Sequence, residues 1–220
     1  MGEIKIGRVV LGMYSTNCYF VYRENQSEAI VVDAPDYGQS IYENLARNGL
    51  HVAGILLTHG HFDHVWGVEE LKKAANEKAA EEGRDQVLVY AGEDERELLA
   101  DPHKNVSEQM HRPVSLSADV YVKDQEEITI AGMTCKVIAT PGHTKGGCCY
   151  YFEEAGFLLC GDTLFLESVG RTDFPSGSMS TLVRSIREKL FLLPEETKAY
   201  PGHGDSTTIG HEKKYNPFLG

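Results

Sequence analysis

The sequence has no apolar run approaching the ~18–20 residues that a membrane-spanning helix needs. A membrane is therefore not an expected partner. The N-terminal stretch "MGEIKIGRVVLG" is interrupted by Glu3, Lys5 and Arg8, so it lacks the apolar centre of a secretory leader. It opens Met1-Gly2, as a myristoylation site does, but Ile6 stands where that signal requires Ser or Thr. Positive charge is also scarce: 21 Lys and Arg face 33 Asp and Glu, a net charge of −12. Such a surface repels phosphates; the basic residues are scattered, and "EKK" at 212–214 is too short to attract nucleic acid. Cysteine is present five times, as Cys18, Cys135, Cys148, Cys149 and Cys160, with no C-x-x-C pair. The odd number and the apolar, strand-like settings point to buried reduced thiols instead of a disulfide frame or a zinc knuckle. Low-complexity tracts, short repeats and long linkers are missing too. We read a cytoplasmic chain with one domain over residues 1–220.

Hydrophobic residues make up 41% and charged residues 25%, so a sizeable core is expected. "IKIGRVVLG", "NCYFVY" and "EAIVVDA" read as strands. "AIVVDA" and "GILLT" are short continuous apolar runs, which suits strands buried on both faces. "QSIYENLARNG" between them reads as a helix closed by Gly49, and "VEELKKAANEKAAEEG" as a helix closed by Gly83. Val65 and Trp66 seat that second helix on the core. "QVLVYA" is a further strand, "EDERELLA" a short helix, and residues 101–118 mostly loop. "DVYV", "EEITI" and "MTCKVIAT" form a meander, and "CCYYFEE" and "GFLLCGD" a hairpin turning at 154–156. Leu182, Ile186 and Leu190 stand at helical spacing, predicting a helix over 178–193. "TKAYPGHG" is a last strand and "IGHEKKYNPF" a short helix stopped before Pro217. The order predicts an α/β protein with two sheets packed face to face and helices outside.

"LLTHGHFDHVWG" puts three histidines and an aspartate into six positions, His59, His61, Asp63 and His64, directly after a strand. Residues two apart cannot share a helix face, but a loop leaving a strand can aim His59 and His61 at one point. The adjacent Asp63 and His64 can serve a second point. Three more apolar strands run into a turn that carries a ligand-type residue: "KVIATPGHT" at His143, "FLLCGDT" at Asp162 and "KAYPGHG" at His203. Alone, His143 or His203 would read as an ordinary turn histidine, and Asp162 as a helix N-cap. Together the groups are too many for one ion and fit two ions that share a carboxylate. Imidazoles and carboxylates without thiolates suit zinc, with iron or manganese as the other candidates. Water bound to such an ion has a pKa lowered to roughly 7 and becomes a nucleophile at neutral pH. His51, His103, His111 and His211 have no comparable setting and read as surface residues.

"THGHFDH" resembles the T-H-x-H-x-D-H signature of the metallo-β-lactamase superfamily. "VVDAP" at 31–35, "TPGHT" at 140–144, "GDTLF" at 161–165 and "PGHG" at 201–204 resemble its other four motifs, in order. The resemblance covers essentially the whole chain and implies an αββα sandwich of two mixed sheets. It implies that His59, His61 and His143 bind one metal, that Asp63, His64 and His203 bind another, and that Asp162 bridges them. Asp33 and Thr58 would support the metal loop from behind. "GDTLFLESVGRTDFPSGS" and "TTIGHEKKYNPFL" look like the short glyoxalase II (hydroxyacylglutathione hydrolase) group. That likeness implies a binuclear thioesterase acting on S-D-lactoylglutathione or a similar small-molecule thioester, with Asp63 and Asp162 catalytic and Arg171 on the substrate. Phe165, Leu166 and the 168–176 loop would line the substrate mouth.

The sequence departs from glyoxalase II in three places. The C-terminal helical domain of glyoxalase II is not expected here, Arg171 replaces a lysine, and Asp205 replaces a tyrosine beside the last metal histidine. Four rival readings share the fold. A persulfide dioxygenase would hold one iron through His59, His143 and Asp162; "GRTDF" occurs in that branch too. A nuclease would need a basic face, a β-lactamase proper is usually exported, and a non-catalytic binding module would not need every ligand.

Overall fold

The computed structural model describes residues 2–220. Its first sheet runs in chain order: β1 (Ile4–Leu11), β2 (Thr16–Arg23), β3 (Glu28–Val32), β4 (His51–Leu56), β5 (Leu88–Gly92) and β6 (Val120–Val122). β1 to β3 pair antiparallel, and β3 to β6 pair parallel. The parallel pairs need crossovers. These are α1 (Gly38–Arg47), the short α2 (Phe62–Val65) with the long α3 (Val68–Glu82), and α4 (Arg96–Ala100). The second half adds β7 (Glu127–Ile130), β8 (Met133–Ala139), β9 (Cys148–Phe152), β10 (Phe157–Gly161), a small hairpin of β11 (Leu164–Phe165) and β12 (Ser168–Val169), α5 (Met179–Glu188), β13 (Lys198–Pro201), β14 (Thr207–Thr208) and α6 (Ile209–Tyr215). The second sheet has the order β14-β13-β10-β9-β8-β7, with β10 and β13 parallel and the other pairs antiparallel.

Side-chain alternation along the strands explains the continuous apolar runs. In β3, Ala29 and Val31 face α1 and α3, while Ile30 and Val32 face the other sheet. In β9, Cys148, Tyr150 and Phe152 point into the space between the sheets, and Cys149 and Tyr151 point toward α5 and α6. Three apolar layers result: helix on sheet, sheet on sheet, sheet on helix. This is the αββα sandwich of two mixed sheets. All five cysteines are buried and free, and burial pushes the Cys149 thiol up to about 11 and Cys135 up to about 12.

Two predicted elements change. The helix expected over 178–193 ends at Glu188, because Lys189 leaves helical geometry and its ammonium donates to Asp124 (2.8 Å) and to the Ala139 carbonyl (2.7 Å). A 3₁₀ turn over Leu190–Leu192 still buries Leu190. The last strand is followed by a further edge strand, β14, which pairs antiparallel to β13. Among the described residues no helix is long and apolar enough to cross a membrane.

Candidate metal centre

The seven candidate side chains come together at one edge of the sandwich, on the segments that follow the C-terminal ends of β4, β8, β10 and β13, with Asp63 and His64 on α2. Open sheets with parallel strands place ligands at such ends. The two sheets are joined there. Cys148 N–H donates to the Thr58 carbonyl (2.9 Å), Asn17 N–H to the Gly202 carbonyl (2.7 Å), and Tyr19 hydroxyl to the Pro201 carbonyl (2.8 Å).

His59 Nε2 lies 3.2 Å from His143 Nε2, which lies 2.9 Å from His61 Nδ1. Next to this trio, His203 Nε2 is 3.3 Å from Asp63 Oδ2, and His64 Nε2 is 3.9 Å from the same oxygen. Asp162 stands between the two groups. Its Oδ1 is 3.5 Å from His64 Nε2, and its Oδ2 is 3.6 Å from both His143 Nε2 and His203 Nε2. Gly202 permits this approach: a Cβ there would meet Asp162 Oδ1 and would stand 2.6 Å from His64 Cε1.

The tautomers follow from the outer ring nitrogens. His64 Nδ1–H donates to Asp33 (2.8 Å), His143 Nδ1–H to the Arg171 carbonyl (2.7 Å), and His203 Nδ1–H to the Tyr14 carbonyl (3.1 Å). Thr58 hydroxyl gives its proton to Asp33 (2.7 Å), so it accepts from His59 Nδ1–H (3.2 Å). Each of the four rings therefore turns Nε2 inward; at His64 and His203 the surrounding carboxylates favour a proton on that nitrogen, which a bound cation would replace. His61 is reversed, with Nδ1 inward. The bare Nε2 atoms of His59 and His143, 3.2 Å apart, repel unless a cation lies between them. Among the described residues, His61 Nε2, His64 Nε2 and Asp162 Oδ1 are buried without a hydrogen-bond partner. The donor set fits divalent cations: three nitrogens on one side, Asp63 with His64 and His203 on the other, and Asp162 able to reach both. With no thiolate among the donors, zinc, iron and manganese all match it.

The electrostatics agree. Burial and the neighbouring imidazoles hold His59 well below the usual histidine range, and burial with His143 takes His61 down to about 3. These rings stay neutral and able to ligate. Burial opposes a charge on His64 too, but Asp33, Asp162 and Asp63 outweigh it and raise its pKa. Burial resists ionisation of Asp162 and Asp63, yet the histidines around them, His64 foremost, keep both below the usual carboxylate range. Three carboxylates around one buried ring make a site that calls for positive charge.

Asp33 supports the cluster from beneath. Its carboxylate accepts from Thr58 N–H (2.8 Å), Thr58 hydroxyl and His64 Nδ1, and its backbone sits at φ 57, a region few side chains adopt.

Over the cluster opens a cavity of about 490 Å³, walled by Tyr14, Phe62, Phe165 and Phe174. Arg171 lines it, but its guanidinium is bidentate to Asp173 (2.7 and 2.6 Å) and lies 4.0 Å over the Phe174 ring. Leu166, expected at this mouth, instead lines a separate depression with Tyr200 and His211. His103 and His111 are exposed and His51 and His211 half-buried, and none of the four touches the cluster. Sequence reasoning missed Tyr14, whose carbonyl orients His203 and whose ring walls the cavity. It also missed Thr16, whose hydroxyl is 3.3 Å from Asp63 Oδ2, and Glu95. No local pattern marks them, since a turn, a strand residue and an acid in a charged helix start are ordinary.

Comparison with known proteins gives a consistent picture. A family model described as the metallo-beta-lactamase superfamily matches residues 11–203. The probable metallo-hydrolase YqgX of Bacillus subtilis is 33% identical over 98% of this chain and 98% of its own length. The hydroxyacylglutathione hydrolase GloC of Haemophilus influenzae is 30% identical over 94% and 93%. Among solved structures, the BLEG-1 B3 metallo-beta-lactamase superposes with a TM-score of 0.88 at 35% identity, covering 98% of this chain and 99% of that one. TTHA1623 in a di-iron-bound form gives 0.80 at 30%, with 97% and 100% covered. ETHE1 from Myxococcus xanthus gives 0.76 at 26%, with 97% and 83% covered.

Proposed function

The chain belongs to the metallo-beta-lactamase superfamily, and from that premise we propose that it is a binuclear metal-dependent hydrolase, a thioesterase of glyoxalase II type. The observation that carries this reading is the convergence of five imidazole nitrogens and two carboxylates on the floor of an aromatic-walled cavity. His59, His61 and His143 would hold one ion, Asp63, His64 and His203 the other, and Asp162 would bridge. Bound divalent ions would lower the pKa of water to about 7 and polarise a substrate carbonyl.

The chain's own residues do the rest. Asp33 and the carbonyls of Tyr14 and Arg171 keep the Nδ1 protons of His64, His203 and His143 away from the ions. Tyr14, Phe62, Phe165 and Phe174 exclude water and position an acyl group over the cluster. Arg171 is the cation within reach of a substrate carboxylate, once it gives up Asp173. Apart from the metal-facing groups and Arg171, the lining offers no strong proton donor, only the hydroxyls of Tyr14 and Ser168. A thiolate suits such a site, because a thiol of pKa near 8.5 leaves without protonation. S-D-lactoylglutathione and related 2-hydroxyacyl thioesters are the proposed substrates, and GloC supports this choice. With a net charge of −12, the reading takes a small-molecule thioester met in the cytosol, not a nucleic acid or a membrane.

A second reading has one specific observation behind it. His143 Nε2 is 3.2 Å from His59 Nε2 and 3.6 Å from Asp162 Oδ2, so the three side chains that a single iron would need are neighbours. The alternative is a persulfide dioxygenase on this fold, a fold that ETHE1 from Myxococcus xanthus shares at 26% identity. Elemental analysis of protein purified without added metal, combined with a thioester hydrolysis assay, separates the two. Two ions per chain and turnover of S-D-lactoylglutathione are expected, with Asp63→Ala lowering the rate at least about 100-fold. One iron per chain with oxygen uptake on glutathione persulfide would replace the hydrolase reading.

A further inference from the structure

Glu95 is fully buried, 0% exposed, at the end of the turn Glu93–Glu95 between β5 and α4. Among the described residues no cation pairs with it. Burying a carboxyl without a counter-charge is unfavourable, whereas burying an apolar side chain of that size is not. What an apolar residue could not do is accept hydrogen bonds, and Glu95 accepts them from two separate loops. Its Oε1 takes the N–H of Gly60 (3.3 Å), which lies between His59 and His61, and the hydroxyl of Thr144, which follows His143. One loop leaves the first sheet and the other belongs to the second. The distances His59–His143 (3.2 Å) and His61–His143 (2.9 Å) therefore span the seam between the sheets.

Behind the cluster the seam is closed by Cys148 N–H on the Thr58 carbonyl and Tyr150 hydroxyl on the Leu57 carbonyl (2.9 and 2.8 Å). Past Thr58, Glu95 takes over that role. Its surroundings are pressed onto the same two loops. A Cβ on Gly60 would lie 2.8 Å from Leu98 and 2.9 Å from Leu99, and a Cβ on Gly146 would run into the Asp94–Glu95 backbone. Burial pushes the Glu95 carboxyl up to about 7, so its Oε2, which has no hydrogen-bond partner among the described residues, need not hold a bare charge.

We infer that Glu95 is a positioning residue of the metal centre: one buried carboxyl oxygen ties the His59–His61 loop to the His143 loop and fixes the spacing of their three imidazole nitrogens. This inference rests on the metallohydrolase reading. Its test is the zinc affinity of the metal-free full chain, measured by competition with a chromophoric chelator. Glu95→Ala should weaken zinc binding about 10–100-fold, the usual cost of losing a group that orients metal ligands. Glu95→Gln keeps the accepting oxygen and should stay within about threefold of the parent protein. Thr144→Val removes one of the two arms and should fall between them. A merely structural role would lower the melting temperature of Glu95→Ala and leave the zinc affinity of the folded variant unchanged, and that result would overturn the inference. If Glu95→Ala does not fold, Thr144→Val decides, and parent-like affinity there overturns it equally. A parent protein that binds no zinc at all would instead defeat the metallohydrolase reading, so the two failures are distinct.

Discussion

Asp33 offers the sharpest quantitative test of how the site is held. Its carboxylate is buried and accepts three hydrogen bonds, at 2.8 Å from Thr58 N, 2.7 Å from Thr58 Oγ1 and 2.8 Å from His64 Nδ1. Asp33→Asn keeps the shape but leaves one accepting oxygen. If that oxygen takes the place of Oδ2, it still serves Thr58 Oγ1 and His64, but the new NH₂ then faces the Thr58 N–H. A buried donor left unpaired costs about 1–3 kcal/mol, and losing the charge weakens the other two bonds by about 1 kcal/mol together. The sum is about 3 kcal/mol, which for a chain of 220 residues lowers the melting temperature by roughly 6–12 °C. The looser His64 would also present Nε2 less reliably, weakening metal binding about 10–100-fold. Calorimetry of the metal-free protein and a chelator competition measure the two effects separately. A variant that melts within about 2 °C of the parent and binds zinc within about threefold would show that Asp33 does not organise the site.

Arg171→Ala should raise KM for carboxylate-bearing thioesters more than it lowers kcat. Steady-state kinetics check this, and an unchanged KM would leave Arg171 as a partner of Asp173 alone. The pH dependence of the metal-free protein should carry the signature of Glu95. Its carboxyl is raised from 4.5 to about 7, mainly by burial, so the folded state binds its proton more tightly than the unfolded chain. That contribution is complete below pH 4.5 and disappears as the pH rises through about 7. Glu95→Gln has no such term. Denaturant titrations should therefore find the parent gaining stability relative to Glu95→Gln between pH 8 and pH 5, and a pH-independent difference would contradict the burial argument.

The motifs were legible because the chemistry of the site is local in each of them. A strand must end, a small residue must allow the turn, and a ligand must follow at once; "THGHFDH" and "PGHG" state all three in a few letters. The two-sheet architecture was legible for a related reason. Runs such as "AIVVDA" and "GILLT" are apolar on both faces, as strands covered on both sides are. Where the expectation slipped, a distant contact intervened. Leu190 continues the helical spacing of α5, yet Lys189 is drawn to Asp124 and Ala139 and ends the helix.

Sequence alone determined the membership in the superfamily, the layering of the fold and which side chains are candidates for the metals. Tertiary structure decided what each candidate meets. It turned the Arg171 guanidinium toward Asp173 and put the Arg171 carbonyl on His143, it made the Tyr14 backbone the partner of His203, and it set Glu95 across two loops. The physical reason is that ligand type and strand pattern are properties of neighbouring residues, whereas hydrogen-bond direction and burial are set by groups that meet only when the two sheets close on each other.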